Sequence, residues 1–356
     1  MATLVQPDTQ FIREVMAAGG ADLKKCYQCA TCSTVCQLAP EDAPFPRKQM
    51  LAAQWGMTER LAADPAVWLC HNCGDCTRQC PRGARPGDVL GALRAAAIRR
   101  FAFPGWLGAL VASPKGLPLL LLLPVLIFSA MAWTAPQNQP GKFAHLFPIP
   151  TLEALFFTVA GLVVLAFAIG AARFVRALRA AGAGGSIGAG LVPALVEIAT
   201  HERLAQCGQE KNRRLGHLLT LWGFVGLAAV GTIVGLGHMA GLVHTPLPPF
   251  YPLKIFANLG AVVMLIGCAV LLADRAKRAG STYFDWLFLW TLLGVVATGV
   301  ASELLRWAGT NVMYGVYFVH LVLVFALFLY APYSKFAHLL YRTLAMAATR
   351  RTTIEG

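Results

Sequence analysis

Long, nearly uncharged apolar runs dominate the chain after residue 115, whereas the preceding part mixes short apolar stretches with charged residues. A helix needs about 20 apolar residues to cross a bilayer. The pattern predicts six such spans, at about 117–134, 152–172, 216–240, 253–273, 285–305 and 315–337. We therefore predict an all-α protein, with a helical N-terminal domain over 1–105 followed by a six-helix transmembrane bundle over 106–356.

The polar segments between the spans alternate in charge. The 173–215 loop and the segments before span one, between spans four and five and after span six are rich in Lys and Arg, while the other loops hold few. By the positive-inside rule, the N-terminal domain, the 173–215 loop and the C-terminus lie on the cytoplasmic side of the inner membrane. The net charge of +13 thus reflects topology, and its distribution argues against a nucleic-acid partner.

A short helix is predicted inside the 173–215 loop. After the Gly-rich linker AGAGGSIGAG, Leu191, Leu195 and Ile198 recur at near-helical spacing. Two placements fit this pattern equally well. The helix either lies on the inner membrane face or packs on the N-terminal domain.

Composition supports the membrane assignment, because 57% of the residues are hydrophobic and the mean hydropathy is +0.58. Eight of the ten cysteines are crowded into two short stretches. The N-terminal residues MATLVQPDTQFIREVM lack the apolar core of a signal peptide, so we expect these thiols in the reducing cytosol. Clustered thiols there are more often metal ligands than disulfides.

The two stretches, CYQCATCSTVC and CHNCGDCTRQCP, repeat one spacing of four cysteines. This is the spacing of bacterial two-cluster ferredoxins, in which three thiolates hold one cubane and the fourth reaches the other. It predicts one [4Fe–4S] cluster on Cys26, Cys29, Cys32 and Cys80, and a second on Cys70, Cys73, Cys76 and Cys36. Zinc also takes four cysteines, but zinc sites usually pair two C-x-x-C units. The third cysteine in each run favours iron–sulfur clusters.

Four histidines lie in or beside the predicted spans: His217 and His238 in span three, and His320 and His338 in the predicted span six. Imidazole at membrane depth marks a candidate functional site, although a satisfied core histidine is the alternative. At about 1.5 Å per residue, the two histidines lie roughly 30 Å apart on one helix and 27 Å on the other. We therefore predict bis-histidine b-type hemes, an inner one on His217 and His338 and an outer one on His238 and His320.

Glycines accompany the histidines on both helices, at positions 216, 223, 226, 235, 237 and 315. They either make room for a flat macrocycle or allow close helix packing. A candidate quinone pocket lies near the outer end of span four, where Lys254, His244 and Tyr251 could hydrogen-bond a quinone oxygen. A lysine at that depth is also a common interface anchor.

The motifs carry a family resemblance. CYQCATCSTVC, FPRKQML and VWLCHNCGDCTRQCP resemble the C subunit of heterodisulfide reductase. The rest resembles the cytochrome b subunit of that enzyme and, more distantly, the gamma subunit of respiratory nitrate reductase, whose last helix carries two ligand histidines at the spacing in HLVLVFALFLYAPYSKFAH. Fused in one chain, the halves resemble the membrane subunit of the quinone-interacting membrane-bound oxidoreductase (Qmo) complex.

The resemblance implies a membrane subunit that passes electrons between menaquinol or menaquinone, b-type hemes and two [4Fe–4S] clusters. It implies soluble flavin and iron–sulfur partner subunits resembling heterodisulfide reductase A, of the Qmo A and B type, and adenylylsulfate reductase in sulfur metabolism. Ala228 stands ten residues before His238, where the nitrate reductase family has its second ligand, so one heme or two remain open. A heme-free membrane anchor that docks a soluble heterodisulfide reductase-like complex is the alternative.

Overall fold

A computed structural model describes residues 6–134, 146–207, 211–277 and 282–349. These residues form helices and no strand, which confirms the predicted all-α class. The N-terminal part contains α1 (Thr9–Val15), α2 (Thr31–Thr34), α3 (Arg47–Gln54), α4 (Thr58–Ala62), α5 (Ala66–Leu69), α6 (Asp75–Arg78), α7 (Pro86–Phe101) and α8 (Gly105–Ala112). Most of them are short, because cysteine loops and turns interrupt the chain repeatedly.

Among the described residues, six helices are long and apolar enough to cross a membrane, as the hydropathy pattern predicts. They are α9 (Leu117–Thr134), α10 (Ile149–Ala180), α13 (Lys211–Met239), α14 (Pro252–Ala276), α15 (Tyr283–Trp307) and α16 (Val312–Leu329). Between them lie α11 (Ile187–Thr200) and α12 (Glu202–Ala205), and α17 (His338–Thr349) follows the last span.

The predicted sixth span, 315–337, is too long. α16 ends at Leu329, and two 3-10 turns, Ala331–Tyr333 and Lys335–Ala337, precede α17. Pro332 accounts for the break, because proline lacks the N–H that a continuing helix needs and disfavours helical backbone at the residue before it. His320 and His338 therefore lie on different helices. The prediction that one continuous helix separates them by roughly 27 Å is wrong.

The spans pack in a row, α13 on α14, α14 on α15 and α15 on α16, while α16 also contacts α9 and α10. Glycines allow the closest of these contacts. A Cβ added to Gly223 would lie 2.8 Å from the Met264 backbone nitrogen, and one added to Gly267 would lie 2.5 Å from that of Thr220. Gly216 also faces α14, where an added Cβ would lie 2.9 Å from Val270. Of the two roles predicted for Gly216 and Gly223, the structure therefore shows helix packing.

The close approach of α13 and α14 at Gly267 gives a stability prediction. Gly267→Ala should destabilise the detergent-solubilised protein by about 1–3 kcal/mol, because the new methyl group overlaps the α13 backbone. Gly231→Ala is the matched control, since an added Cβ there meets nothing within 4 Å. Thermal unfolding of the two variants and the parent protein measures the difference. Equal midpoints for Gly267→Ala and Gly231→Ala would contradict the tight α13–α14 contact.

The N-terminal part and the membrane bundle share one hydrophobic core. Trp68 of α5 and Phe101 of α7 pack against Phe174 of α10 and Tyr341 of α17, with ring centroids 5.2–6.1 Å apart. All four rings are buried. We call the end of the bundle that makes this contact the domain-side end and the opposite end the far end. The shared core fixes the cysteine loops relative to the membrane helices.

The predicted loop helix is present as α11, and it packs on α17. A Cβ added to Gly190 would lie 2.3 Å from the Ala347 carbonyl oxygen, and Ala194 is fully buried. The other face exposes the apolar side chains of Leu191, Val192, Leu195 and Val196. Its main contact is therefore α17, and the exposed apolar face is the one that a position on the membrane surface requires.

Candidate functional site

The eight clustered cysteines surround two separate cavities. Cavity A is lined by Cys26, Cys29, Cys32 and Cys80. Cavity B is lined by Cys36, Cys70, Cys73 and Cys76. The structure thus brings together the two crossed groups that the spacing predicts, with the fourth cysteine of each motif placed beside the first three of the other. Cys29 is exposed, whereas Cys32 and Cys76 are buried.

The local backbone explains how three cysteines of each motif face one cavity. The second and fourth residues after the first cysteine adopt left-handed conformations in both motifs: Gln28 and Ala30 in the first, Asn72 and Gly74 in the second. These residues turn each loop around its cavity, and α2 and α6 begin directly afterwards. Backbone N–H groups then reach sulfur, as the Asn72 N–H does at 3.3 Å from Cys70 Sγ. Such bonds are typical of iron–sulfur sites.

The cavities fit a cluster better than a single ion. A tetrahedral zinc site draws four sulfurs to about 2.3 Å from one point. In the described part of the chain, no group of three or more Cys, His, Asp or Glu side chains converges in that way. Four thiols arranged around an enclosed space instead match a cubane, in which each sulfur binds a different iron.

Burial raises the pKa of two of the thiols. It raises the pKa of Cys32 to about 11 and also raises the pKa of Cys76. Both therefore stay protonated at neutral pH until iron replaces the proton, so binding of the metal releases protons. Cys207, which the sequence leaves isolated, is buried beside Cys73. Its hydrogen bond to Cys73, followed by burial, raises the pKa of Cys207, which makes it a neutral donor to the neighbouring sulfur.

Two of the predicted ligand histidines meet at the domain-side end of the bundle. The ring centroids of His217 and His338 lie 6.2 Å apart with an interplanar angle of 89°. Two imidazoles bound at about 2 Å to opposite sides of one iron hold their ring centres roughly 6 Å apart. The pair therefore has the spacing that a bis-histidine heme requires. The break before α17 brings His338 to this position.

The other ring nitrogen of each histidine is held by a neighbour. His217 Nδ1 lies 2.7 Å from His201 Nε2, and His338 Nδ1 bonds the Lys335 carbonyl oxygen at 2.5 Å. Such contacts fix the tautomer and orientation of a ligand histidine while Nε2 serves the metal. His201 is a residue that sequence reasoning did not assign. Its left-handed backbone ends α11, and no local pattern shows which histidine lies next to it.

The other two histidines lie toward the far end and contact different helices. His238 Nδ1 lies 2.7 Å from Glu153 Oε1 of α10. His320 Nδ1 lies 3.0 Å from the Val295 carbonyl oxygen and 3.1 Å from Thr298 Oγ1, both on α15. Hydrogen bonds hold His320 at Nδ1, which leaves its Nε2 for a metal. His238 Nδ1 lies close to the carboxylate but makes no hydrogen bond to it. The pairing of the two histidines on one heme stays a prediction.

The candidate quinone residues do not form one group. Lys254 Nζ lies 2.5 Å from Glu303 Oε2, and Asn258 Nδ2 donates to Glu303 Oε1 at 3.1 Å. His244 and Tyr251 are exposed in the segment between α13 and α14. Sequence reasoning missed Glu303, although a lone carboxylate near the end of an apolar span is itself a signal of function. Glu153 gives the same signal beside His238.

Comparison with known proteins agrees with the thiol geometry. Residues 22–84 match the 4Fe-4S dicluster domain family. In the residues that the structure describes, the chain thus joins a 4Fe-4S dicluster domain to six membrane-capable helices in an all-α fold. It is 27% identical to citrate utilization protein B of Escherichia coli, over 91% of this chain and 89% of that protein.

A second group of relatives covers the N-terminal part. The chain is 34% identical over 84 residues to the C subunit of the H(2):CoB-CoM heterodisulfide,ferredoxin reductase of Methanothermobacter thermautotrophicus. That match covers 23% of this chain and spans 45% of the length of the relative. A protein of Archaeoglobus profundus that is named for its likeness to the same heterodisulfide reductase component is likewise 34% identical, over 85 residues. No solved structure matches the chain. The predicted resemblance to the C subunit of heterodisulfide reductase is confirmed for this part.

Proposed function

We propose that the chain is the membrane electron-transfer subunit of a quinone-linked oxidoreductase. Electrons would pass between menaquinol or menaquinone, b-type hemes held by the four histidines, and two [4Fe–4S] clusters held by the eight cysteines. The spacing of His217 and His338 at the domain-side end of the bundle carries this proposal, because a heme held there would continue a path of redox groups from the membrane toward the dicluster domain. The positive-inside rule supports a cytoplasmic position for that domain.

The chain would hold a heme at the domain-side end through Nε2 of His217 and Nε2 of His338. When bound between two imidazoles, a heme supplies reversible one-electron exchange. His201 and the Lys335 carbonyl oxygen keep both rings oriented, so they need little rearrangement on binding. Burial lowers the pKa of His338, which keeps its imidazole neutral and able to ligate a metal.

The far end is where we place the quinone. Lys254 offers an ammonium donor to a quinone oxygen, and Glu303 offers a carboxylate that can accept a proton from a bound hydroquinone. Asn258 holds the second carboxylate oxygen and so orients the first. An ion pair inside an apolar helix bundle costs free energy, so its presence there favours a functional role.

This placement predicts the effect of one substitution. Lys254→Ala should raise the KM for a menaquinol analogue roughly tenfold, because a hydrogen bond from a charged group is worth about 1.5–3 kcal/mol. His244→Ala is the matched control, since His244 is exposed outside the helices. Steady-state quinol oxidation with an artificial acceptor measures both. A larger effect for His244→Ala would move the quinone site to the α13–α14 segment.

Electrons would leave through cavity A to a soluble partner, because Cys29 is exposed there and Tyr27 beside it is 67% exposed. Two partner classes have support. The match to the C subunit of heterodisulfide reductase favours flavin and iron–sulfur subunits of the heterodisulfide reductase A type. The resemblance of the whole chain to the membrane subunit of the Qmo complex adds adenylylsulfate reductase beyond them. The match over nearly the whole chain, to a protein named for citrate utilization, favours a partner that acts in the use of citrate.

The decisive experiment is a cofactor count joined to a reduction assay. The full chain, purified anaerobically in detergent, should show b-type heme in a pyridine hemochrome spectrum and about eight iron atoms in clusters. A menaquinol analogue should reduce the heme and then an artificial acceptor. A protein with intact clusters but without heme would support the heme-free anchor instead. Reconstitution with adenylylsulfate reductase or with a soluble enzyme of citrate utilization separates the two partner classes.

A further inference from the structure

Residues 70–72, which we call the proximal loop, line cavity B and accept hydrogen bonds from a cationic side chain of the membrane bundle. Arg213 of α13 donates to the carbonyl oxygens of His71 at 2.8 Å and Asn72 at 2.9 Å. The His71 carbonyl belongs to the same peptide group as the Asn72 N–H, which donates to Cys70 Sγ at 3.3 Å. A cation on the oxygen polarises this peptide and so strengthens its N–H···S bond.

Two further arginines act on the carbonyl oxygen of Cys70. Arg94 of α7 donates to it at 3.0 Å and Arg342 of α17 at 3.5 Å, while Arg342 also bonds the His71 ring. All three guanidinium groups are half-buried between the domain and the bundle, where salt screens charge weakly. Burial, followed by the charge of Arg94, lowers the pKa of Arg342 to about 10, so it remains a cation at neutral pH.

Cavity A has a different electrostatic environment. The carbonyl oxygen of Cys26, equivalent to that of Cys70, accepts from the neutral amide of Gln54 at 3.1 Å. Arg47 and Arg82 line cavity A, but both are exposed to solvent. Water and salt screen exposed charges strongly.

Asp75 also lines cavity B, with a carboxylate oxygen 3.3 Å from Cys73 Sγ, but Arg78 pairs with that carboxylate, so its charge is balanced by a cation other than the three arginines. The two cavities therefore share one backbone design and differ in the charge that acts on it.

The same arginines link the proximal loop to the histidine pair. Arg213 lies four residues before His217 on α13, and Arg342 lies four residues after His338 on α17. Residues four apart share a helix face and lie about 6 Å apart along the axis. The two arginines that hold the proximal loop thus lie one helical turn from the two histidines along α13 and α17.

We propose that Arg94, Arg213 and Arg342 raise the reduction potential of the cluster in cavity B above that of the cluster in cavity A. Cavity B is then the membrane-side station of the electron path, and cavity A is the exit. Reduction adds one electron and one negative charge to a cluster without making or breaking a bond, and weakly screened cations nearby stabilise that charge. The assignment of entrance and exit rests on the proposed function, whereas the difference in potential does not.

The test is an EPR-monitored redox titration of the anaerobically purified full chain with both clusters bound. Cys29→Ala and Cys73→Ala variants assign the two signals to cavities A and B. In Arg213→Gln, we expect the ratio of reduced to oxidised cluster B at a fixed potential to fall about tenfold, which is about 59 mV for a one-electron couple. Arg213→Lys keeps the charge and should keep most of the potential. Arg47→Gln, at an exposed position, should move neither signal.

Three results would overturn the proposal: a parent protein in which cluster A has the higher potential, an Arg213→Gln and an Arg342→Gln that both leave cluster B unchanged, or an equal shift of both clusters. If the glutamine variants lose cluster B, Gln54→Lys decides the question, because a cation at the neutral position should raise the potential of cluster A. An unchanged cluster A in Gln54→Lys then refutes the proposal. Chemical titration needs neither heme nor quinone, so a failure of the proposed quinone function would show itself separately.

Discussion

Replacing His338 by alanine is expected to remove the domain-side heme and to cut electron transfer from a menaquinol analogue to the clusters down to background. His338 contributes one of two imidazoles that lie at the spacing of a bis-histidine site. Its Nδ1 is held by the Lys335 carbonyl oxygen, so Nε2 is the nitrogen available to iron. The heme count should fall by one per chain, and dithionite should still reduce both clusters. Pyridine hemochrome spectra and stopped-flow reduction measure these outcomes.

Two further variants separate ligation from structure. His338→Met retains a heme ligand and should keep the heme with a raised potential, because methionine in place of histidine favours reduced iron. His201→Gln should keep the heme count, since His201 acts on His217 through Nδ1 and does not occupy the ligand position. A His338→Ala protein with an unchanged heme count would show that this end of the bundle holds no heme. The single-heme alternative, based on Ala228, would then stand.

The spans and the thiol groups were predictable because both depend on local sequence. Apolar length alone identifies a membrane helix, and the x2-x2-x3 spacing of Cys26 to Cys36 repeats at Cys70 to Cys80. The end of the sixth span was also present in the sequence, since Pro332 breaks the helix near Leu329. A hydropathy window averages over such a residue and therefore extends the span to 337.

The neighbours of the histidines were not predictable in the same way. His201 reaches His217 because α11 folds back against α17, and Glu153 reaches His238 because α10 lies beside the end of α13. Both contacts depend on which helices become adjacent, which no spacing rule gives. The carboxylate itself was visible as a lone charge in an apolar span, but its partner was not.

Loss of a ligand cysteine should remove one cluster and stop electron transfer. Because the ligands are crossed, the variants that lose the same cluster come from different motifs. Cys36 belongs to the first motif but lines cavity B, and Cys80 belongs to the second but lines cavity A. Cys36→Ala should therefore leave the same residual EPR spectrum as Cys73→Ala, and Cys80→Ala the same as Cys29→Ala. Iron should fall from about eight toward about four atoms per chain, and electron transfer to a soluble acceptor should be lost.

An uncrossed arrangement predicts the opposite grouping, with Cys36→Ala matching Cys29→Ala. Cys207→Ala is the control, because Cys207 is buried in the same hydrophobic core but reaches cavity B only through Cys73. It should keep about eight iron atoms. Since each motif supplies one ligand to the cavity of the other, losing either cluster also removes a link between the two motifs. We therefore expect both Cys36→Ala and Cys80→Ala to lower the thermal stability of the domain, whereas Cys207→Ala should change it less.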